Sequence, residues 1–330
     1  MKTIHVYFFK APIGYKWIPG DRHLIHFIKR LLNIMQVGGA EKVYVNLCKG
    51  FDELQVKYDK NLPLNKINPG EPVIILGDEH YNSKKYLQGY DKPNPIIAGI
   101  GLITHPAEWP DLPQQYPVAK YLQHCDWANN LYIPYYGKER CELWPAGIDT
   151  KKWKPDEKAE KEFDILLYNK LRWDIEEQNE SVRAPVINKL NELGLTYREV
   201  VYGHYAEQDY FKLLQKCRAM IFLCAHETQG FALCEALSVN IPVFAWDPGY
   251  CQDPNRFTWN DPVIKTTSIP YFDESCGMWF MDANEFNKNL ETFWGKVKVG
   301  KFNPRKYILD NLTLKKSAER MLKIVNEVYK

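Results

Sequence analysis

Residues 219–243 read AMIFLCAHETQGFALCEALSVNIPV, and this order is typical of an apolar strand, a polar loop and a helix. The loop contains Glu227, Gly230 opens the helix, and Glu235 projects from it about one turn in. A helix N-terminus presents N–H groups and a partial positive charge, so it can hold a diphosphate. Gly230 lets a ligand approach the backbone closely, and the two carboxylates accept hydrogen bonds from hydroxyl groups. The spacing alone also fits two solvated glutamates.

Short apolar runs alternate with segments of helical period on both sides of this stretch, which predicts parallel α/β units. The predicted strands are Thr3–Phe9, Leu54–Tyr58, Pro72–Leu76, Pro95–Ala98, Val118–Leu122, a short one in Leu143–Asp149, Asp164–Tyr168, Glu199–Tyr202, Ala219–Cys224 and Pro242–Trp246. The predicted helices are His23–Met35, Glu41–Phe51, Ser181–Leu193, Gln208–Cys217, Phe231–Leu237, Ala283–Trp294 and Leu312–Tyr329.

The polar run Thr150–Glu162 has the composition of a linker between two such domains. We therefore expect a first domain over 1–150 and a second over 151–311, both doubly wound and Rossmann-like. Ligands of these sheets bind beyond the carboxyl ends of the strands, so the expected site is a cleft between the domains.

Composition excludes several classes of protein. Of the 330 residues, 45% are apolar and 25% charged, as in globular domains, and no apolar run is long enough to span a membrane. The start, MKTIHVYFFK, fits a buried strand better than a signal peptide. Eight scattered cysteines without C-x-x-C spacing predict reduced thiols in the cytoplasm and no structural zinc. A net charge of +2 does not favour a nucleic-acid partner, and nothing indicates an oligomeric state.

The segment HETQGFALCEALSVNIPV (226–243) closely resembles the donor-binding motif of the family-four retaining glycosyltransferases of the GT-B fold. That motif reads Glu-x-x-Gly-x-x-x-x-Glu-Ala, followed by a short turn and Gly-x-Pro-Val. Asn240 occupies the position of the second glycine, and Asn also accepts left-handed backbone angles. The resemblance covers about 140–250 well and the first 140 residues loosely, whereas 251–311 match nothing.

The resemblance implies specific roles for the motif residues. Glu227 would contact the transferred sugar and Glu235 the ribose. The backbone amides of Gly230, Phe231 and Ala232 would contact the phosphate and the sugar. The implied fold is GT-B, with two Rossmann-like domains facing a central cleft and the last helix, 312–330, packing back on the first domain.

Two further segments resemble the family in the expected order. Trp144–Pro155 is similar to the joint between the domains, PNGVDxxxFxP, and is expected to be structural. Lys170 and Arg172 follow the next strand, where the family has a Gly-Arg pair and a later Lys aimed at the diphosphate. They would neutralise the leaving group, although the Gly is absent and the spacing leaves their correspondence open. The alternative is that Lys170 and Arg172 are simply exposed cations.

His204 and Tyr205 fall where the family places its nucleobase loop. Tyr205 would stack on the base, or it would pack on the edge of the sheet. In the first half, His105 matches the family's Thr-His histidine near the donor sugar, and a buried histidine without a catalytic role is equally compatible. His80 is a weaker candidate of the same kind.

Gly38 and Gly39, in VGGAEKV, resemble the family's GGAER loop for acceptor and phosphate. That loop normally follows the first strand directly, so residues 12–21 are the alternative loop. The intervening segment 22–35 mixes basic and apolar residues at helical spacing. As a helix, this segment would either lie on the inner membrane face and deliver a lipid-linked acceptor, or cover the sheet with its cations in water. We favour the helix that covers the sheet.

The sequence contains no Asp-x-Asp, so no metal or other cofactor is expected. The resemblance implies a hexosyltransferase that moves a sugar from UDP- or GDP-sugar to a glycan, lipid-linked or small-molecule acceptor with retention of configuration. A nucleotide-sugar 2-epimerase and a catalytically silent nucleotide-sugar-binding protein are the alternatives.

Overall fold

The computed structural model of the chain describes residues 2–8, 38–77, 87 and 89–330. The predictions for His80, for the loop 12–21 and for the helical segment 22–35 lie outside the described residues. The chain divides into two units, which are described separately. Unit 1 comprises Met1–Gly147 and Leu314–Lys330, and unit 2 comprises Ile148–Thr313.

Unit 1 contains a parallel sheet with the strand order β2-β1-β3-β4-β5-β6. Its strands are β1 (Ile4–Tyr7), β2 (Tyr58–Lys60), β3 (Val73–Leu76), β4 (Ile96–Gly99), β5 (Val118–Gln123) and β6 (Cys141–Leu143). Every residue of β1, β3 and β4 is buried. Parallel strands that are covered on both faces have continuous apolar sequences. This explains why these three strands could be predicted from their apolar runs. Within the described residues of unit 1, the α-helices before residue 147 are α1 (Gly39–Glu53), α2 (Leu112–Gln115) and α3 (Asp126–Tyr136).

Unit 2 contains a second parallel sheet, with the order β11-β10-β9-β7-β8. Its strands are β7 (Phe163–Lys170), β8 (Tyr197–Val201), β9 (Cys217–Cys224), β10 (Val243–Trp246) and β11 (Gly277–Phe280). Its helices are α4 (Ile175–Gln178), α5 (Ala184–Glu192), α6 (Glu207–Lys216), α7 (Phe231–Ser238), α8 (Asn255–Thr258), α9 (Ala283–Lys298) and α10 (Pro304–Asn311), and one π-helical turn, Asn179–Arg183, joins α4 to α5. The central strand β9 is buried at all but one of its residues.

The last helix, α11 (Leu314–Val328), belongs to unit 1 and packs on α1. The two helices approach closely at Gly50, where an added Cβ would lie 2.6 Å from the carbonyl oxygen of Leu314. Tyr329 accepts a hydrogen bond from the backbone N–H of Val73 at 3.0 Å, which ties the end of the chain to the sheet. Gly is required at position 50 because any side chain would push α11 away.

Some element boundaries differ from the prediction. The segment 54–58 is mainly a turn, with Gln55 in the left-handed region (φ 55°), and β2 begins only at Tyr58. The predicted final helix begins at Leu314 rather than at 312, because Thr313 pairs with Ile148 in a parallel bridge. Six of these helices and strands were not predicted: α2, α3, α4, α8, α10 and β11.

Candidate functional site

The strand order of unit 2 identifies the carboxyl edge where a ligand is expected. After β7 the chain adds β8 on one side and then β9, β10 and β11 on the other, so the order reverses between β7 and β9. Ligands of open α/β sheets bind at such a switch point, beyond the carboxyl ends of the strands. Lys170 ends β7 and is the register partner of Cys224, which ends β9. Glu227 follows three residues after Cys224, at the same edge.

Lys170 and Glu227 form an ion pair through Nζ and Oε1, and their side chains are only 14% and 15% exposed. Burial by itself lowers the pKa of Lys170, but the charge of Glu227 and the hydrogen bond to it outweigh burial and raise that pKa above its usual value. Burial, and then the charge of Glu227, raise the pKa of Cys224, so its Sγ donates a weak hydrogen bond to Glu227 Oε1 at 3.7 Å. The site therefore holds a charged pair beside a neutral thiol.

The rings of Tyr202 and Trp173 lie beside the two cations at this edge. Lys170 Nζ lies 4.5 Å from the centroid of the Tyr202 ring. The guanidinium carbon of Arg172 lies 5.2 Å from the Trp173 ring and 6.0 Å from the Tyr202 ring. Cations above aromatic faces are attracted by the ring quadrupole, so the rings hold both cations at this edge. Arg172 is exposed, in contrast to Lys170.

His226 stacks on the other aromatic residue of the site, Trp173, with ring centroids 4.7 Å apart and an interplanar angle of 8°. Burial lowers the pKa of His226 to about 4, although the charge of Glu227 acts in the opposite direction. His226 is therefore neutral at pH 7, and its Nε2 lies 3.9 Å from Cys251 Sγ. Sequence reasoning missed Trp173 and Tyr202 as members of this site. The available signal was their position, because Trp173 follows Arg172 directly and Tyr202 follows the last residue of β8.

Helix α7 begins at the same edge. Its N-cap, Gly230, has left-handed backbone angles (φ 66°, ψ 57°). A Cβ at this position would have ordinary contacts of 3.5 Å, so the backbone angles rather than space require glycine. Phe231 and Ala232 are the first two helical residues, and the N–H groups of a first helical turn point toward the N-terminal end. This arrangement offers amide donors within a few residues of Glu227.

Glu235 lies on α7 and is only 4% exposed. The side chain of Tyr210 is one of its neighbours; burial, and then the charges of Tyr205 and Glu235, raise the pKa of Tyr210. The hydroxyl of Tyr210 donates a hydrogen bond of 2.8 Å to the carbonyl oxygen of Ala232, and this bond stabilises the first turn of α7. A carboxylate this deeply placed on an apolar helix is atypical of a residue kept only for solubility.

The two candidates for the nucleobase loop differ in their surroundings. His204 is exposed, whereas Tyr205 is half-buried. The hydroxyls of Tyr205 and Tyr168 share a hydrogen bond of 2.8 Å, and the Tyr205 ring lies 5.3 Å from that of Tyr210. Tyr205 therefore packs against the core of the sheet.

The remaining candidates lie in unit 1. Gly38 is the N-cap of α1 and Gly39 its first residue, and both are exposed. His105 is 1% exposed, and its Nδ1 accepts a hydrogen bond of 3.2 Å from the N–H of Ala107 at the start of the short 3₁₀ turn Pro106–Glu108. In the neutral ring the proton is then on Nε2. The structure thus brings together Lys170, Arg172, Glu227 and the start of α7, while His105, Gly38 and Gly39 belong to the other unit.

Metal ligands and membrane spans were also sought within the described ranges. No group of three or more His, Cys, Asp or Glu side chains there is arranged to hold a metal ion. None of the helices in those ranges is both long enough and apolar enough to cross a bilayer. All eight cysteines fall within the described ranges, where each is buried and forms no disulfide.

No protein-family model and no curated protein sequence matches this chain. Solved structures do match it. The pneumococcal O-GlcNAc transferase GtfA, in complex with UDP and GlcNAc, is 13% identical with a TM-score of 0.50; the match covers 80% of this chain but only 58% of GtfA. Sucrose-phosphate synthase from Thermosynechococcus elongatus is 12% identical over 99% of both chains, with a TM-score of 0.51.

A third structure, the lipopolysaccharide outer core galactosyltransferase WaaB in its apo form, is 11% identical with a TM-score of 0.53; the match covers 98% of this chain and all of WaaB. Identities at this level establish the fold and not the activity. The two parallel sheets, with six and five strands, agree with these structures. The sequence prediction is confirmed: this chain has the two-domain, Rossmann-like GT-B fold.

Proposed function

We propose that this protein is a glycosyltransferase that transfers a sugar from a nucleotide-sugar to an acceptor. The observation that carries the proposal is the Lys170–Glu227 pair at the switch point of a GT-B domain, directly before the N-terminus of α7. Three proteins with the same fold are a transferase bound to UDP and GlcNAc, a sucrose-phosphate synthase and a galactosyltransferase. Their activities are compatible with a nucleotide-sugar donor for this chain as well.

The donor's diphosphate would lie at the start of α7, because the partial positive charge of the helix and its amides favour an anion there. Arg172, exposed at the same edge, would contact the diphosphate as negative charge develops on the leaving group. Lys170 is already paired with Glu227, so its contribution would be to hold that carboxylate and add positive potential. These charges would take the role that a metal ion has in other phosphate-transfer sites, so we propose that no metal cofactor is needed.

Glu227 would accept hydrogen bonds from hydroxyls of the transferred sugar, and Glu235 from the ribose. We propose a front-face reaction with retention of configuration. The acceptor hydroxyl forms a bond to the anomeric carbon as the bond from that carbon to the diphosphate oxygen breaks. The acceptor's proton passes to the departing diphosphate, whose charge is balanced by Arg172 and the start of α7. His105 of unit 1 is proposed to act near the donor sugar.

A transfer assay tests this proposal. UDP- and GDP-sugars are incubated with the protein and a panel of saccharide and lipid-linked acceptors, and products are identified by mass and by the anomeric coupling in NMR spectra. We expect transfer with one donor, retained configuration, unchanged rates in EDTA, and loss of at least two orders of magnitude with Glu227→Gln. Release of free nucleotide with an epimerised sugar, or binding without turnover, would instead indicate an epimerase or a silent binding protein.

A further inference from the structure

Glu227 is held through its backbone by a segment to which the sequence assigned no role. The N–H of Glu227 donates a hydrogen bond of 3.0 Å to the carbonyl oxygen of Thr267. Residues 264–268 follow the long segment 247–263 after β10. They lie within the region 251–311, which matched no known motif. The loop after β9 is therefore attached to a second loop that passes beside it.

That second loop is fixed to the carboxyl end of β10 by the side chains of Asp247 and Ser268. Asp247, the residue after β10, accepts two hydrogen bonds: Oδ2 from the Thr267 hydroxyl at 2.7 Å and Oδ1 from the Ser268 N–H at 2.9 Å. The Ser268 hydroxyl donates to the carbonyl oxygen of Trp246 at 2.7 Å. The two carboxylate oxygens of Asp247 thus hold Thr267, which contacts Glu227, and Ser268, the residue after it.

Backbone hydrogen bonds also join the two ends of the loop 251–264. Cys251 N–H donates to the carbonyl oxygen of Ile264 at 2.8 Å, and Thr266 N–H donates to that of Gly249 at 3.1 Å. These two bonds make 249–251 and 264–266 run together as a short antiparallel pair. Thr267 consequently reaches the carboxyl edge of the sheet from a rigid support, and not from the end of an open loop.

We infer that Asp247 is a positioning residue for Glu227, acting through the Thr267 hydroxyl and the Thr267 carbonyl group. The chain of bonds from Asp247 to Thr267 to Glu227 fixes the backbone from which the Glu227 side chain reaches Lys170. A carboxylate that must meet sugar hydroxyls needs this support, because a misplacement of about 1 Å can lower a rate by about 100-fold. The inference rests on the proposed function, since it assigns Asp247 to the same site.

The test compares two neighbouring threonines, of which only Thr267 has a hydroxyl that bonds to Asp247. Thr267→Val keeps the shape of the side chain but removes the hydroxyl, which donates to Asp247 and also accepts a hydrogen bond of 3.1 Å from the N–H of Ile269. Thr266→Val is the matched control, because within the described part of the chain the buried Thr266 hydroxyl makes no hydrogen bond. Each variant is assayed for kcat with the nucleotide-sugar and for the Kd of the corresponding nucleoside diphosphate, which lacks the sugar that Glu227 would contact.

We expect Thr267→Val to lower kcat by roughly 10- to 100-fold while the Kd of the nucleoside diphosphate changes less than twofold, and Thr266→Val to change neither. Thr267→Ser, which keeps the hydroxyl, should recover most of the lost kcat. If Thr267→Val does not fold, Asp247→Ala and Asp247→Asn replace it. The Asn side chain can still accept a hydrogen bond from Ser268 N–H and can donate one to the Thr267 hydroxyl oxygen. The kcat of Asp247→Asn should therefore be higher than that of Asp247→Ala.

The outcomes separate this inference from the proposed function. If the wild type turns over and Thr267→Val has unchanged kcat, the positioning role is wrong and the transferase proposal stands. If Thr267→Val weakens nucleoside diphosphate binding and kcat equally, the segment is a general support of the fold and the inference is also wrong. If the wild type binds no nucleotide and transfers no sugar, both fall together.

Discussion

Lys170 and Glu227 form an ion pair although 57 positions separate them in the sequence. The parallel register of β7 and β9 brings them together, since Lys170 is opposite Cys224 and the chain reaches Glu227 three residues later. Because both side chains are mostly buried, the pair leaves Arg172 as the exposed cation of this edge. Lys170 therefore holds Glu227, and we propose Arg172 as the cation that would contact the diphosphate.

Breaking this pair should destabilise unit 2. Lys170→Met leaves the Glu227 carboxylate without its cation in a site of low exposure, and we expect the free energy of unfolding to fall by about 3 kcal/mol. The double variant Lys170→Met/Glu227→Gln removes both charges and should recover at least half of this loss. Urea unfolding followed by circular dichroism measures both. Additive losses in the double variant would show that the two side chains do not interact.

Acidification should destabilise the protein between pH 6.5 and 4. Burial lowers the pKa of both His124 and His226 to about 4. Because the unfolded chain binds protons at its higher, ordinary pKa of about 6.5, stability is complete above that pH and is lost as pH falls toward 4. Each histidine contributes up to about 1.4 kcal/mol per pH unit in this window.

The measurement for this pH effect is urea unfolding at several pH values. His226→Gln should lower the slope of unfolding free energy against pH by about half of the histidine contribution. His124→Gln removes the other buried histidine and should lower the slope by a similar amount. An unchanged slope in His226→Gln would mean that this ring titrates normally in the folded protein.

Asn240 should tolerate glycine better than valine. It has a left-handed φ of 66°, and its Oδ1 accepts a hydrogen bond of 3.2 Å from the N–H of Arg305. Asn240→Val places a β-branched residue in this conformation and should lower the free energy of unfolding by about 2 kcal/mol. Asn240→Gly loses the hydrogen bond but relieves the backbone, so its change should stay below about 1 kcal/mol. Equal losses in urea unfolding would contradict the conformational explanation.

The fully buried strands of both sheets could be predicted because buried parallel strands are continuous apolar runs. Val73–Leu76 and Val243–Trp246 are buried at every residue and had been recognised within one residue. β11 was missed because it begins at Gly277 and contains the exposed Trp279, so its four residues lack that pattern. Helix α3 was missed because Pro134 lies inside it.

The candidate site was predictable where its residues are neighbours in sequence. Glu227, Gly230 and Glu235 lie in one motif, whereas the Lys170–Glu227 pair depends on the register of two strands that no local pattern reveals. The same applies to Asp247 and Thr267, which meet only after a 20-residue excursion. The role of His105 stays a prediction; the structure shows that its ring accepts a hydrogen bond from Ala107 N–H in the local turn, a contact that no motif reveals.

The central claim, a nucleotide-sugar site at the start of α7, is tested most directly by nucleotide binding. Thermal unfolding is recorded with UDP, GDP, ADP, TDP and CMP for the wild type, for Glu235→Gln, and for Glu291→Gln as a control at an exposed position on α9. One nucleotide at a hundred times its Kd should stabilise the wild type and the control by about 2.7 kcal/mol, and Glu235→Gln should lose most of that gain. If no nucleotide stabilises the wild type, or if Glu235→Gln responds like the control, the donor site is not where this account places it.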